Sequence, residues 1–597
     1  MSKLPFFNRK RWPATAVSIT ILLLTLALYT HAAGQLTTFL PVVFMRPDTT
    51  PTPPTGPIYG VNFITSAEKR ADAQQYQNGL ATGVGWNRWP LYWFNVEQSP
   101  GVFCWTPSLP GCYSGADAVD PDAAISADIA HGLQTNAILL GTPGFYATNF
   151  SNRRPADAVV GAGGFRLRAI NSATPQGLYA AVFSDGSDTP GPGKQLNPDN
   201  KWAVYVWTAV SRYKPGGVLA QQQGWPAGAG ITHWEMWNEP DLNIFWDASV
   251  ADYARLLKVG YLAAKLADPN ATVLFAGLAN NFEPGAGHTD IYNQVMSLYD
   301  ADPLAAVHAY FHDILATHSY FYAWQSWLHV FRATNTLAAR GLQKPIWLNE
   351  SGVAIWNDYP GPVWDSSSSF RATQSEHADF IIQSAFYAMF AGADGIFHFQ
   401  LYDGCGNQPA YTDFPPHNGE LCDANGHLIG QPGVPCAGDA NGLYRNPADA
   451  ICFSQHPQPE SARAGVAALQ VLTTHVTDVY PLWRKRPGPV KCVGPGGVMT
   501  PGQEWIAFYQ PATGKRVVGL WALCGEAETA VITATNPLGT ALLVAPDGST
   551  QLIAAQNGAY TIQLPAATNR NRLGGGVPDF YPIGGRPYIL VEPDPTN

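Results

Sequence analysis

From residue 58 onward, short apolar runs alternate with longer stretches of helical periodicity. "IYGVNF" (58–63), "VGWNRWPLY" (84–92), "TNAILLGTPGF" (135–145) and "ITHWEMWNEP" (231–240) read as strands. So do "TVLFAGL" (272–278), "DILATHSYF" (313–321), "PIWLNESG" (345–352) and "GIFHFQLYD" (395–403). The spacing predicts a helix over 67–80. After Ser249 the signal is stronger: Ser249 and Asp252 form a capping-box pattern, Tyr253, Leu256, Leu257 and Tyr261 share one face, and Pro269 follows the end. Eight strands alternating with helices imply an α/β chain with a parallel sheet, and that number suggests closure into a (β/α)8 TIM barrel.

Past residue 480 the period changes. "WIAFYQP", "RVVGLWALC", "TAVITATNP", "ALLVAPDGS" and "GAYTIQLP" are short β-rich runs between Gly, Pro, Asn and Asp turns, as in a small C-terminal antiparallel β-sandwich domain. The N-terminus is different again. Lys3, Arg9, Lys10 and Arg11 precede an apolar run from Ala14 to Tyr29 and the small-residue stretch "HAAG". This pattern reads as a secretory signal peptide or as a retained N-terminal membrane anchor, over residues 1–34. The Pro/Thr-rich residues 35–57 then form a linker, residues 58–480 the catalytic barrel and residues 481–597 the sandwich.

Composition narrows the class. The 597 residues are 46% hydrophobic and 13% charged, with 58 Gly and 50 Pro, which describes a loop-rich globular chain. A net charge of -10 with no basic run beyond Arg9-Lys10-Arg11 argues against nucleic acid as a partner, since phosphate binding needs clustered Lys and Arg. An uncharged ligand such as a carbohydrate fits better. Eight cysteines without a CxxC pair point to disulfides in an oxidising, extracytoplasmic compartment rather than to zinc. Neighbours in sequence make the simplest pairing: Cys104 with Cys112, Cys405 with Cys422, Cys436 with Cys452, and Cys492 with Cys524.

In such a barrel the chemistry sits at the C-terminal ends of the strands. The polar candidates there are Arg88 on strand two, Asn238 and Glu239 on strand four, His318 and Tyr320 on strand six, Glu350 on strand seven, and Gln400, Tyr402 and Asp403 on strand eight. Two glutamates across one barrel mouth supply what a retaining glycosidase needs, an acid for the leaving oxygen and a carboxylate to attack the sugar. Two nearby acids are not read as catalytic. Glu235 lies on the face of Glu239 but about two layers deeper, and Asp241 lies beyond the Pro240 turn.

"WNEP" (237–240) together with "WLNESG" (347–352) resembles the clan A glycoside hydrolases, (β/α)8 enzymes with an Asn-Glu-Pro motif after strand four and a nucleophile after strand seven. Within that clan the chain is most similar to glycoside hydrolase family 39 and its bacterial relatives, by overall length, the "THSYF" segment and the trailing β domain. The resemblance implies Glu239 as acid/base and Glu350 as nucleophile. It further implies Asn238 on the sugar 2-hydroxyl, Arg88 beside the nucleophile, and His318 or Tyr320 supporting it. Where the family often carries Trp at the end of strand eight this chain has Gln400 and Tyr402, which leaves Trp356 or Trp364 to supply a stacking floor for an oligosaccharide, polysaccharide or simple glycoside. Neither a metal nor a cofactor is implied.

Each residue also has a plainer reading. Glu239 could be a solvated acid at a helix N-terminus, Glu350 a structural acid, Arg88 a cation stacked between Trp86 and Trp89, and His318 a core histidine. Trp234 and Trp237 read as walls that desolvate Glu239. Two whole-chain alternatives use the same barrel: a non-catalytic carbohydrate-binding or cell-surface scaffold protein, and a transglycosylase.

Overall fold

The computed structural model describes residues 58–593 except 116–117, 149–159, 162–163, 166–173, 244, 280–287, 356–357, 359–370, 404–439, 449–457, 494–497 and 570–580. The signal or anchor segment, the linker, Trp356, Trp364 and the cysteine pairs 405–422 and 436–452 lie outside the described residues.

Eight parallel strands close a barrel in sequence order: β1 (Ile58–Asn62), β2 (Trp86–Tyr92), β3 (Gln134–Leu140), β4 (His233–Met236), β5 (Thr272–Leu278), β6 (Ile314–Tyr320), β7 (Ile346–Gly352) and β8 (Gly395–His398). Helices α1 (Ala73–Ala81), α2 (Pro121–Ala130), α3 (Lys201–Tyr213), α4 (Val250–Ala267), α5 (Ile291–Asp300), α6 (Gln325–Ala338), α7 (Gln374–Ala391) and α8 (Ala464–His475) accompany them. Several elements are shorter than their apolar runs. α1 begins at Ala73, not at residue 67, because Asp72 caps it through the Gln75 amide. The segment before it is held as a loop by Thr65 Oγ1 and Ser66 Oγ, which accept from the amides of Ala71 and Lys69. β4 and β8 each stop after four residues.

The barrel interior is layered. Its floor is apolar: Trp86, Leu274, Ile314, Ala316, Trp347 and Phe397 interdigitate there, and Gly60 makes room for the Phe397 ring, which would lie 2.3 Å from any Cβ at that position. Above that floor the inward residues turn polar, with Asn62, Arg88, Glu235 and Asn349 all buried.

The C-terminal part is a six-stranded antiparallel sheet, ordered β9 (Tyr480–Lys485), β10 (Gln503–Gln510), β11 (Lys515–Ala522), β16 (Tyr588–Glu592), β13 (Thr540–Val544) and β14 (Thr550–Ala554). A second, two-stranded sheet is formed by β12 (Glu528–Thr533) and β15 (Ala559–Leu564). Alternation along β10 and β11 explains why both strands carry unbroken apolar stretches, Trp505–Phe508 and Val517–Ala522. Trp505, Ala507, Val518 and Leu520 face the two-stranded sheet, while Ile506, Phe508, Val517 and Trp521 join the core of the barrel. A sheet buried on both faces needs such runs.

The contact is made through α7, which is buried almost all round, as a helix between two layers must be. Phe386 stacks edge-on against Phe508, Tyr387 packs on Trp521, and Gln383 bonds the backbone of Gly584 and Gly585. Barrel and sandwich therefore share one core within one compact unit. Replacing Trp521 with Ala should cost roughly 3–5 kcal/mol in denaturant unfolding, whereas Leu538→Ala, at a residue 92% exposed, should be neutral. Equal effects of the two would contradict a shared core.

Disulfides join Cys104 to Cys112 and Cys492 to Cys524, both as the sequence suggests. Among the described residues, no helix is long and apolar enough to cross a membrane.

Candidate active site

The exit from β4 is built by an unusual stretch of backbone. Trp237 and Glu239 both have positive φ, 81° and 40°, a conformation that costs a non-glycine residue on the order of 1–3 kcal/mol. The neighbours hold it in place: the Trp237 amide donates to Leu139 O of β3 and the Glu239 amide to Gly277 O of β5, each at 2.9 Å. The chain thus turns at the barrel mouth while still bonded to both flanking strands. The tryptophans do not wall the acid. Alternation sends Trp234 to the outer face of β4, and the Trp237 ring lies against Trp202 of α3 and Trp246, in the helix layer.

A bulge delivers the second carboxylate. Between β6 and β7 the register slips, pairing Thr317 with Leu348 but His318 with Glu350, so the extra residue Asn349 and its successor both reach the interior. Asn349 Nδ2 donates to Glu235 and Glu350 accepts from Arg88.

Arg88 is the hub. It lies within β2 rather than at its end, fully enclosed at 1% exposure, and the structure replaces stacking between Trp86 and Trp89 with a polar cage. Its Nη1 donates to Glu350 Oε1 (2.5 Å) and Asn62 Oδ1 (3.0 Å), and its Nη2 to Asn238 Oδ1 (2.9 Å). The Nε and Nη2 edge grips Glu235, with both distances 2.8 Å. Because the Asn238 carbonyl is taken, its NH2 is what remains to donate to a ligand.

The two β6 residues divide between the acids. Tyr320 donates its hydroxyl to Glu350 Oε2 at 2.5 Å. His318 Nδ1 lies 2.7 Å from Glu239 Oε1 and 3.5 Å from Glu350 Oε2, so its closer partner is the β4 acid. Carboxylate oxygens of Glu239 and Glu350 lie within 4.8 Å of one another.

The electrostatics of the two acids diverge. Burial pushes the Glu239 carboxyl up to about 7, opposed by His318 and assisted by the charge of Glu350. Burial acts on Glu350 too, but His318 and Arg88 outweigh it and hold this carboxyl below its ordinary range. His318 moves up, since the adjacent Glu350 and Glu239 more than offset its desolvation. Glu239, His318 and Glu350 could also be arranged around a metal ion. The guanidinium bonded to Glu350 opposes a second cation there, and both Glu350 oxygens already accept hydrogen bonds.

Arg88, Asn238, Glu239, His318, Tyr320 and Glu350 are thus brought together, while Tyr402 and Asp403 of the strand-eight candidates are engaged elsewhere. Tyr402 bonds Asn78 and Glu460, and Asp403 pairs with Arg463. Among the described residues, Phe399 follows strand eight as an aromatic, its ring 5.9 Å from that of Tyr320. Sequence reasoning also passed over Asn62, Asn349 and Gly277. The last has no Cβ because one would stand 2.0 Å from His318 Nε2; its only sequence signal was a small residue inside an apolar strand.

No known protein-family model matches the sequence, and no curated protein matches it. Solved structures do match in shape. A family 39 glycoside hydrolase from the gut symbiont Bacteroides cellulosilyticus WH2 is 15% identical, with 90% of this chain covering 81% of that one at a TM-score of 0.51. A conserved exported protein from Bacteroides fragilis is 11% identical over 90% and 97%, at 0.49. A family 30 endoxylanase from Clostridium papyrosolvens C71 is 11% identical over 90% and 96%, at 0.47. In fold, the chain is similar to the family 39 glycoside hydrolase: a closed (β/α)8 barrel with an antiparallel β domain behind it.

Proposed function

We propose that this protein is an exported retaining glycoside hydrolase. The observation that carries the reading is the approach of the Glu239 and Glu350 oxygens to within 4.8 Å. Retaining enzymes place their carboxyl groups ~5–5.5 Å apart, and inverting ones leave ~6.5–9.5 Å for a water. The opposite displacement of their two pKa values gives each acid its task.

Glu239, protonated near neutral pH, donates to the glycosidic oxygen as the bond to the leaving group breaks. Glu350, kept ionised by Arg88 and His318 and oriented by Tyr320, attacks the anomeric carbon and forms a glycosyl ester. Glu239, now a carboxylate, takes a proton from water, which opens the ester and restores Glu350. Asn238 donates its NH2 to the 2-hydroxyl, a contact that tightens in the transition state. The two disulfides support an oxidising, extracytoplasmic location. The substrate is an oligosaccharide, polysaccharide or simpler glycoside.

Hydrolysis of aryl glycosides followed by NMR should release first the anomer of the substrate; the opposite anomer would overturn the reading. The pH profile of kcat/KM should be bell-shaped. Its alkaline limb falls near about 7 as Glu239 loses its proton, and its acid limb lies below the ordinary Glu range, where Glu350 gains one. Product analysis with an added acceptor sugar separates hydrolysis from transglycosylation.

A further inference from the structure

Below the two carboxylates the barrel holds a third acid that this chemistry does not use. Glu235 is fully buried, and each of its oxygens accepts two hydrogen bonds. Oε1 takes Arg88 Nη2 and the Gly277 amide, both at 2.8 Å. Oε2 takes Arg88 Nε at 2.8 Å and Asn349 Nδ2 at 2.9 Å. These donors come from β2, β5 and β7, so the carboxylate ties three strands to β4.

The planar fork of Arg88 is divided unequally. Its two-pronged edge, the stronger geometry for a carboxylate, is spent on Glu235, and Glu350 receives only Nη1. We propose that Glu235 is a positioning residue for Glu350, acting through Arg88: it fixes the plane of the guanidinium and takes up part of its charge. Glu350 then stays ionised without being stabilised so far that it loses basicity. The inference rests on the reading of Glu350 as the nucleophile.

Other titratable groups surround the assembly. His318, Glu239 and Tyr320 stand at the mouth, with Asp241 beyond Glu239. His233 lies one inward position below Glu235 on β4. Tyr253 of α4 donates to Met236 O. None of them makes a hydrogen bond to the fork of Arg88 comparable to the Glu235 pair; His318 Nε2 comes no nearer than 3.5 Å.

The test is the charge state of Glu350 in the full-length protein, read without any substrate. Carbodiimide couples an added amine to protonated carboxyls, and peptide mass spectrometry reports labelling at Glu350 as pH is varied. In Glu235→Gln the labelling midpoint should fall by about one pH unit, since a nearby negative charge is gone and Arg88 remains. An unchanged or higher midpoint in the folded variant overturns the proposal. If Glu235→Gln does not fold, the double variant Arg88→Gln/Glu235→Gln, which leaves neither member of that ion pair charged, is read in its place. Its midpoint should then lie above that of wild type, and a wild-type value overturns the proposal. Absence of glycoside turnover in wild type would instead overturn the glycosidase reading, and leaves these titrations interpretable on their own.

Discussion

Glu350→Ala should remain folded and lose turnover on aryl glycosides by a factor on the order of 10⁶, the scale seen when a nucleophile is removed from an otherwise intact site. Folding should survive because Glu350 sits at the rim of the polar layer, and Arg88 keeps its bidentate partner Glu235 when Glu350 is gone. Sodium azide added to the variant can enter the vacated space and attack the anomeric carbon with Glu239 still supplying the proton. The product would be a glycosyl azide of inverted configuration, detectable by NMR. A variant retaining more than about a tenth of wild-type kcat would remove Glu350 from its proposed role.

Arg88→Met should weaken the fold itself. It leaves Glu235 buried with only the Gly277 amide and Asn349 as donors. Stranding one partner of a buried ion pair costs roughly 3–5 kcal/mol, a large share of the ~5–15 kcal/mol that holds a typical protein folded. Chemical denaturation should show the loss directly, and Arg88→Met/Glu235→Leu should recover much of it, because neither charge then remains. A single variant within about 1 kcal/mol of wild type would mean that water reaches Glu235.

The contrast between these two residues also shows what the sequence discloses. Period-two and period-3.6 patterns were enough for the eight strands and the trailing β domain, since burial on one or both faces writes itself into hydrophobic spacing. The acids of β4 and β7 were equally legible, because strand ends at a barrel mouth are few. Glu235 was placed at the right depth but given no partner: its partner lies on β2, and only the register of three strands brings the two together. The division of His318 and Tyr320 between Glu239 and Glu350 was hidden for a related reason. It depends on a one-residue bulge, which shifts side chains without altering composition. Trp237 misled because an aromatic next to an acid in sequence need not touch it when the backbone turns at positive φ.

Gly277 extends this beyond the polar residues. The imidazole of His318 occupies space that almost any other amino acid at 277 would claim. The same glycine lends its amide to Glu235 and its carbonyl to Glu239. A residue with nothing to donate from a side chain is thereby joined to Glu235, to Glu239 and to the histidine. Distant relatives that retain this arrangement should therefore be recognised as much by an empty position on the fifth strand as by the glutamates, and a lineage that fills it must first give up the histidine.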